Sequence, residues 1–464
     1  MKPKSYVFTT LAMNQTLFFK GIAKILLNRG HQVYFICFHE RSHELLLAEG
    51  FSSFNPYPLC EKVFADDSFD VNLINQKYMA SIEKFKIPNW NYILSHEVET
   101  FRLTFTDVRK RFVEYIYALD QIFLKLKNQI PETHNLYLVQ ELGGFSSLIS
   151  SFYVGEFYGF KNYFLEPSFF KGRVFVIPTS FEAYKVREMK MEINLEANQY
   201  LDAAIRNKTI VIPEKDKAHY YSLFNKVFRF HNFKRLYEKL IDKLILGKRE
   251  EFQFIGMYTK RHLMMFVNKF KLKKFYKDIP TEKFIYFPLH VPMDVALTVR
   301  SPHCLDQYML IDFLCRSAPQ GYKVVFKEHP AMVGVMDSNK VKDLLLKNDN
   351  LIILKPEINN YEALGRADVV ITVNSKAGAE ALMLGRKVIV LGDSFYCESD
   401  LVYKHRDFST LGEKIKLVLS YPSPEETKIR AYFQTVWNES YPGEIYSLDP
   451  KQLDYFVKIC ESLK

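Results

Sequence analysis

The sequence predicts an α/β protein with two parallel-sheet domains, a helical basic segment between them, and helices that close the chain. Three observations carry this prediction. Strand-like and helix-like patterns alternate from the start of the chain, the alternation stops near residue 181 and resumes near residue 280, and most of the excess positive charge lies in that interval.

The elements follow in order. Tyr6-Val7-Phe8-Thr9-Thr10 is a β-rich run, apolar residues recur at helical spacing from Leu17 to Leu27, Gly30 stops the helix, and Val33 to Phe38 is a second buried strand. Strand, helix and strand in so short a stretch form a βαβ unit, which implies a parallel sheet. Leu136 to Val139 and Tyr163 to Leu165 read as later strands of that sheet. Residues 181–278 are rich in Phe, Tyr and Lys, mostly helical in pattern and nearly free of strands. Strand runs then return at Phe284–Leu289, Lys323–Phe326, Leu351–Leu354, Val369–Thr372 and Val388–Leu391, with helices at Asp306–Ser317 and Ala377–Leu384. Helical stretches near 409–419, 425–437 and 450–463 have no strand partners. The expected division is 1–180, 181–280 and 281–464.

Composition excludes several classes. The chain has 464 residues, 48% of them hydrophobic and 25% charged, which rules out a disordered or fibrous protein and calls for more than one core. No 18-residue window is free of charge, so no segment reads as a transmembrane helix. Asn14, Gln15 and Thr16 interrupt the one stretch that could mimic a signal peptide. The six cysteines lack CxxC spacing, which argues against a disulfide framework and against a zinc site, and the expected location is cytoplasmic. Between Lys226 and Lys277 stand 15 Lys/Arg against 4 Asp/Glu in a chain of net charge +10, so the remainder is close to neutral.

His39-Glu40-Arg41-Ser42-His43 matches HExxH, but it follows directly on a buried strand and reads as a surface loop rather than a zinc-protease helix. No GxGxxG follows the first strand and no GxxxxGK[ST] occurs, which disfavours ordinary dinucleotide and P-loop binding. The stronger signals lie at strand ends of the second domain. Pro288-Leu289-His290 and Lys327-Glu328-His329-Pro330 each set a His where ligands bind in open α/β sheets, and a His beside Lys327 suits a phosphate. Asn374-Ser375-Lys376 then opens a helix with Ser375 as N-cap, so amide groups and the helix dipole would favour an anion. Gly378 would allow close approach of a ligand, and Glu380 could accept ribose hydroxyls.

The run from Phe287 to Tyr396 resembles the bacterial capsule polysaccharide biosynthesis family, which includes the Kdo transferases of capsule assembly. The resemblance rests on Pro288-Leu289-His290, Lys327-Glu328-His329-Pro330, Asn374-Ser375, Gly378, Glu380-Ala381-Leu382, Gly385, Gly392 and Phe395-Tyr396 in that order. It implies a GT-B fold: a nucleotide sugar held by the C-terminal Rossmann-like domain, an acceptor by the N-terminal one, and final helices crossing back. The nucleotide-sugar set would be His290, Lys327, His329, Pro330, Asn374, Ser375, Lys376, Gly378 and Glu380. His329 would act in catalysis, with Glu166 or failing that Glu141 as base or nucleophile on the acceptor side. Related members carry an Asp after a Gly-rich turn, where this chain has Lys171-Gly172-Arg173.

The expected function is transfer of a sugar, Kdo or another acidic sugar, from a CMP- or UDP-linked donor to a glycan or glycolipid acceptor. No DxD motif is present, so neither a metal nor a cofactor is expected. A polyol-phosphate transferase, a nucleotide-sugar epimerase and a non-catalytic scaffold of a polysaccharide assembly complex are the alternatives. The basic segment carries no nucleic-acid motif. Tyr221, Phe224, Phe228, Leu236, Leu240, Leu244 and Ile245 recur at helical spacing among lysines and arginines, which predicts docking of 218–277 on an anionic membrane, on the cytoplasmic face of the inner membrane.

Overall fold

The computed structural model describes residues 3–64, 70–88, 90–187, 194–208, 237, 239, 241–243 and 245–464. The helical pattern read over 221–244 therefore lies almost entirely outside the described residues.

Two seven-stranded sheets organise the described residues. The first contains β1 (Lys4–Thr10), β2 (Gln32–Cys37), β3 (Ser52–Phe54), β4 (Asn135–Glu141), β5 (Lys161–Pro167) and β6 (Arg173–Pro178). The second contains β7 (Tyr276–Lys277), β8 (Phe284–Pro288), β9 (Lys323–Lys327), β10 (Leu351–Leu354), β11 (Val369–Thr372), β12 (Lys387–Val390) and β13 (Tyr403–Lys404). A last strand, β14 (Tyr441–Pro442), returns to the first sheet. The strand orders are β14-β6-β5-β4-β1-β2-β3 and β13-β12-β11-β8-β9-β10-β7.

The registers follow from burial. In β1 all seven residues are buried, so the strand needs apolar neighbours on both faces, and it lies at the centre of its sheet with Val7 opposite Tyr34 of β2 and Leu138 of β4. In the second sheet every pairing is parallel, with Tyr286 of β8 between Val325 of β9 and Val370 of β11. The first sheet departs from the parallel expectation at one edge: Gly172, in a left-handed conformation, turns the chain so that β6 runs antiparallel to β5.

The helix at Met13–Asn28 buries Phe18, Phe19, Ile22 and Leu26 against the first sheet. The helix Pro450–Ser462 crosses back from the second domain, and its Phe456, Val457, Ile459 and Cys460 join that same core. This is the crossing expected of a GT-B fold, and the two facing Rossmann-like sheets complete it. A further apolar cluster runs across both domains, from Phe164 and Phe175 to Tyr286, Ala381 and Tyr432. All six cysteines are buried thiols. Among the described residues, no helix is long and apolar enough to cross a membrane.

The HExxH residues correct the loop expectation. His39 caps the helix Glu40–Ala48 by accepting from the Ser42 amide, and His43, inside that helix, meets Ser53 Oγ at 2.8 Å. The two imidazoles hold the helix to the chain around it. The helices read as lacking strand partners are interleaved with β13 and β14, which are too short to show a period of two.

Candidate active site

The site is built at the carboxyl ends of β8, β9 and β11. β8 delivers His290, whose backbone is clamped by Gln307: its N–H donates to Oε1 at 2.8 Å and its carbonyl accepts from Nε2 at 3.2 Å. The ring is buried and lies 3.5 Å from Thr372 Oγ1 at the end of β11. Burial, aided by His329 nearby, pushes His290 down to about 3, so it is a neutral imidazole near neutral pH.

β9 delivers Lys327, Glu328 and His329. Lys327 is 4% exposed, and among the described residues no hydrogen-bond acceptor meets its ammonium. Burial pulls it down to about 8, against the opposing pull of Glu357 and Glu380. Glu328 turns away from the cleft. It accepts from Tyr276 Oη at 2.7 Å and from the Gly334 and Met336 amides at 3.0 and 3.3 Å, which fixes the loop that follows. Pro330 starts a short 3₁₀ turn and His329 caps it, with Nδ1 accepting from the Ala331 amide at 3.3 Å. A ring that accepts at Nδ1 carries its proton on Nε2, so His329 is set up as a donor.

β11 delivers Asn374 and Ser375. Ser375 is the N-cap of the helix Lys376–Met383, as expected, and accepts from the Ala377 amide at 3.1 Å. Two more of the amides are occupied: Ser375 N–H donates to Thr372 Oγ1 and Gly378 N–H to the Ser375 carbonyl. The helix start thus offers its dipole more than a ring of open amides, which revises the expectation. Asn374 Nδ2 donates to Ser301 Oγ at 3.0 Å, while its Oδ1 is buried without a hydrogen bond.

Packing sets the surroundings of Gly378 and Glu380. A Cβ on Gly378 would lie 2.3 Å from Tyr396 Oη and 2.7 Å from Thr372 Cγ2, so this glycine makes room for those two side chains inside its own domain. Glu380 is 3% exposed and accepts from Asn360 Nδ2 at 3.1 Å, so it lies beneath the cleft and not open at its rim. Burial pushes it up to about 7, opposed by Asn360, Lys376 and Lys327. Lys376 reaches across the cleft and donates to the Ser168 carbonyl at 2.8 Å.

The first domain contributes two carboxylates in different states. Glu166, on β5, is held by Arg300, whose two terminal nitrogens meet its oxygens at 2.8 and 3.0 Å. The bidentate pairing makes Glu166 a clasp between the two domains. Glu141, at the end of β4, accepts from Gln15 Nε2 at 2.8 Å and from Tyr446 Oη. Tyr446 also lines an open cavity of about 930 Å³ whose walls include Asn14, Lys171, Tyr200 and Glu444. Burial raises the Tyr200 phenol above its ordinary value, and its hydroxyl accepts from the Lys171 amide at 3.2 Å on the cavity wall.

Arg300, Gln307, Asn360, Tyr200 and Tyr446 were not legible in the sequence. None stands in a motif, and each gains its role from a partner distant along the chain. Among the described residues, no cluster of three His, Cys, Asp or Glu could hold a metal ion.

Comparison with known proteins adds the following. The family model described as "Capsule polysaccharide biosynthesis protein" matches residues 195–408. Protein FixF of Sinorhizobium fredii (strain NBRC 101917 / NGR234) is 33% identical over 157 residues, which are 33% of this chain and 37% of that protein, so the match spans little more than a third of the curated relative. Among solved structures, the beta Kdo 2,7 transferase KpsC of Thermosulfurimonas dismutans aligns at 15% identity and TM-score 0.35, covering 73% of this chain and 89% of that one. A glycosyltransferase from Rickettsia africae ESF-5 aligns at 12% identity and TM-score 0.30 over 100% of both chains.

Proposed function

We propose that this chain, whose residues 195–408 match the capsule polysaccharide biosynthesis family model, transfers a sugar from a nucleotide donor to a growing surface glycan. The observation that carries the reading is Lys327: a buried cation without an acceptor among the described residues, at a strand end, beside a His set up to donate. Burying an ammonium without a hydrogen-bond acceptor is costly, and a phosphate that accepts from it offsets that cost.

In this reading the donor phosphate lies between Lys327, His329 and the start of the helix Lys376–Met383. As the glycosidic bond to the nucleotide breaks, negative charge grows on the leaving phosphate, and Lys327, the His329 Nε2–H and the helix dipole stabilise it where it forms. His290 is neutral and holds Thr372, which in turn holds the Ser375 amide, so it positions the helix start. Glu141 is the acceptor-side carboxylate: it lies at a first-domain strand end with Tyr446 between it and the open cavity. The cavity's amide, hydroxyl, carboxylate and tyrosine groups suit a glycan acceptor. The donor is a CMP- or UDP-linked sugar, with Kdo the favoured class, and the reaction takes place in the cytoplasm.

A binding screen against CMP, UDP, GDP and CDP, followed by transfer from radiolabelled nucleotide sugars to a lipid-linked acceptor, tests the proposal. His329→Ala should lower turnover by at least about tenfold. Glu141→Gln should abolish transfer and leave nucleotide affinity intact. Absence of nucleotide binding, or wild-type rates in both variants, would remove its basis.

A further inference from the structure

The helix Ile255–Leu272 presents two unlike faces. Met265, Asn268 and Leu272 are buried against the second domain. On the opposite side Leu263, Phe266, Val267 and Phe270 form an i, i+3, i+4, i+7 stripe with exposures of 62, 49, 37 and 63%, and Met264 beside them is 46% exposed. Four large apolar side chains in one stripe on the outside of a helix that already has a buried face are not scattered surface residues.

The surroundings of the stripe select its partner. At 100° per residue, Lys260 and Lys271 fall along one border and Lys269 along the other, and Lys273, Lys274 and Lys277 follow just beyond the helix. Five of these six lysines are exposed and Lys269 is half-buried, and no acidic residue occurs from Phe252 to Lys277. An apolar stripe bordered on both sides by lysines matches the acyl boundary of a bilayer with anionic headgroups alongside it.

The helix is fixed on the body so that this face stays outward. Asn268 Nδ2 donates to the Gly334 carbonyl at 3.3 Å, and its Oδ1 accepts from the Ser338 amide at 3.4 Å. Gly334 is left-handed, and a Cβ there would lie 2.1 Å from the Met265 carbonyl oxygen, so the loop after His329 packs directly on the helix backbone. At the other end Arg261 donates to the Thr100 carbonyl of the first domain, and Phe254, just before the helix, packs at a tilt on Phe101 with ring centroids 4.4 Å apart. We infer that the Leu263–Phe270 face of this helix docks the protein on an anionic membrane surface. The inference does not depend on the sugar-transfer reading, because it rests on a face remote in role from the donor residues.

Co-sedimentation of the full chain with phosphatidylcholine vesicles, with and without phosphatidylglycerol, at low and high salt is the test. The wild type should bind the anionic vesicles at least about tenfold more tightly than the neutral ones and release partly at high salt. Leu263→Glu with Phe270→Glu should weaken that binding by at least about tenfold at unchanged melting temperature, since both side chains are exposed. Lys260→Gln, Lys271→Gln, Lys273→Gln and Lys274→Gln together should abolish the preference for anionic lipid. Equal binding to neutral vesicles, or no binding, overturns the inference. So does a light-scattering mass showing that the Leu263→Glu, Phe270→Glu pair converts a dimer to a monomer, which would make a second copy the occupant of this face.

Discussion

Arg300 of the second domain grips both carboxylate oxygens of Glu166 in the first, and the same guanidinium donates to the Phe181 carbonyl at 2.8 Å. The arginine side chain is 5% exposed and the glutamate 24%, so the pair is only partly open to water. It closes one side of the cleft, with Lys376 on the Ser168 carbonyl and Lys185 on Asp393 as companions.

Glu166→Gln keeps the shape and removes the charge. We expect a loss of about 1–3 kcal/mol, the range for a hydrogen bond to a charged group discounted for partial exposure. Thermal unfolding reads it as a lower Tm. A variant with wild-type Tm and no transfer activity would assign Glu166 a chemical role.

Lys327 predicts a pH dependence of nucleotide affinity. Its ammonium, pulled down to about 8 by burial, is charged below that pH and neutral above it, and only the charged form attracts phosphate. Affinity for CMP should therefore be level near neutral pH and fall about tenfold between pH 7 and 9. Lys327→Met should be weaker throughout and without that slope, as calorimetry across the range would record. A wild-type profile that stays flat to pH 9 contradicts the assignment.

Glu380 predicts a pH dependence of stability with a definite sign. Its folded pKa is raised from 4.5 to about 7, so its contribution is fully present below 4.5 and is lost as pH rises to about 7. The loss amounts to about 3 kcal/mol. Glu380→Gln removes this titration, and its Tm relative to wild type should climb from pH 4.5 to pH 7 and stay level beyond. An equal difference in Tm at both ends of that window would rule the titration out.

Gly378→Ala places a methyl against Tyr396 Oη, which donates to the Ser375 carbonyl. Overpacking of this kind costs about 1–3 kcal/mol. Because Tyr396 anchors the helix start, nucleotide affinity should fall together with Tm. If the alanine variant melts and binds like wild type, the contact is softer than its distances indicate.

The parts of this protein legible in its sequence are those governed by local pattern. β8, β9 and β11 are continuous apolar runs because both their faces are covered, and a polar residue just past such a run must fall at the strand end, so His290, His329 and Ser375 could be placed. The loads those side chains carry depend on contacts that no local pattern encodes. Arg300 meets Glu166 from 134 residues away, and Tyr446 reaches Glu141 across 305. For Gly378 and Glu380 helix periodicity gives a face and not its neighbour, and that neighbour is Tyr396 for one and Asn360 for the other.

The helix Ile255–Leu272 is anchored by Arg261 to one domain and by Asn268 to the other. A beam clamped at two bodies shares a single mechanical coordinate with the gap between them. Whatever changes that gap strains or relaxes the beam, and whatever presses on the beam from outside is felt in the gap. Thermodynamic reciprocity then makes the two influences equal in size: any factor by which a filled cleft alters the beam's hold on its support is the factor by which the support alters the hold on the cleft's occupant.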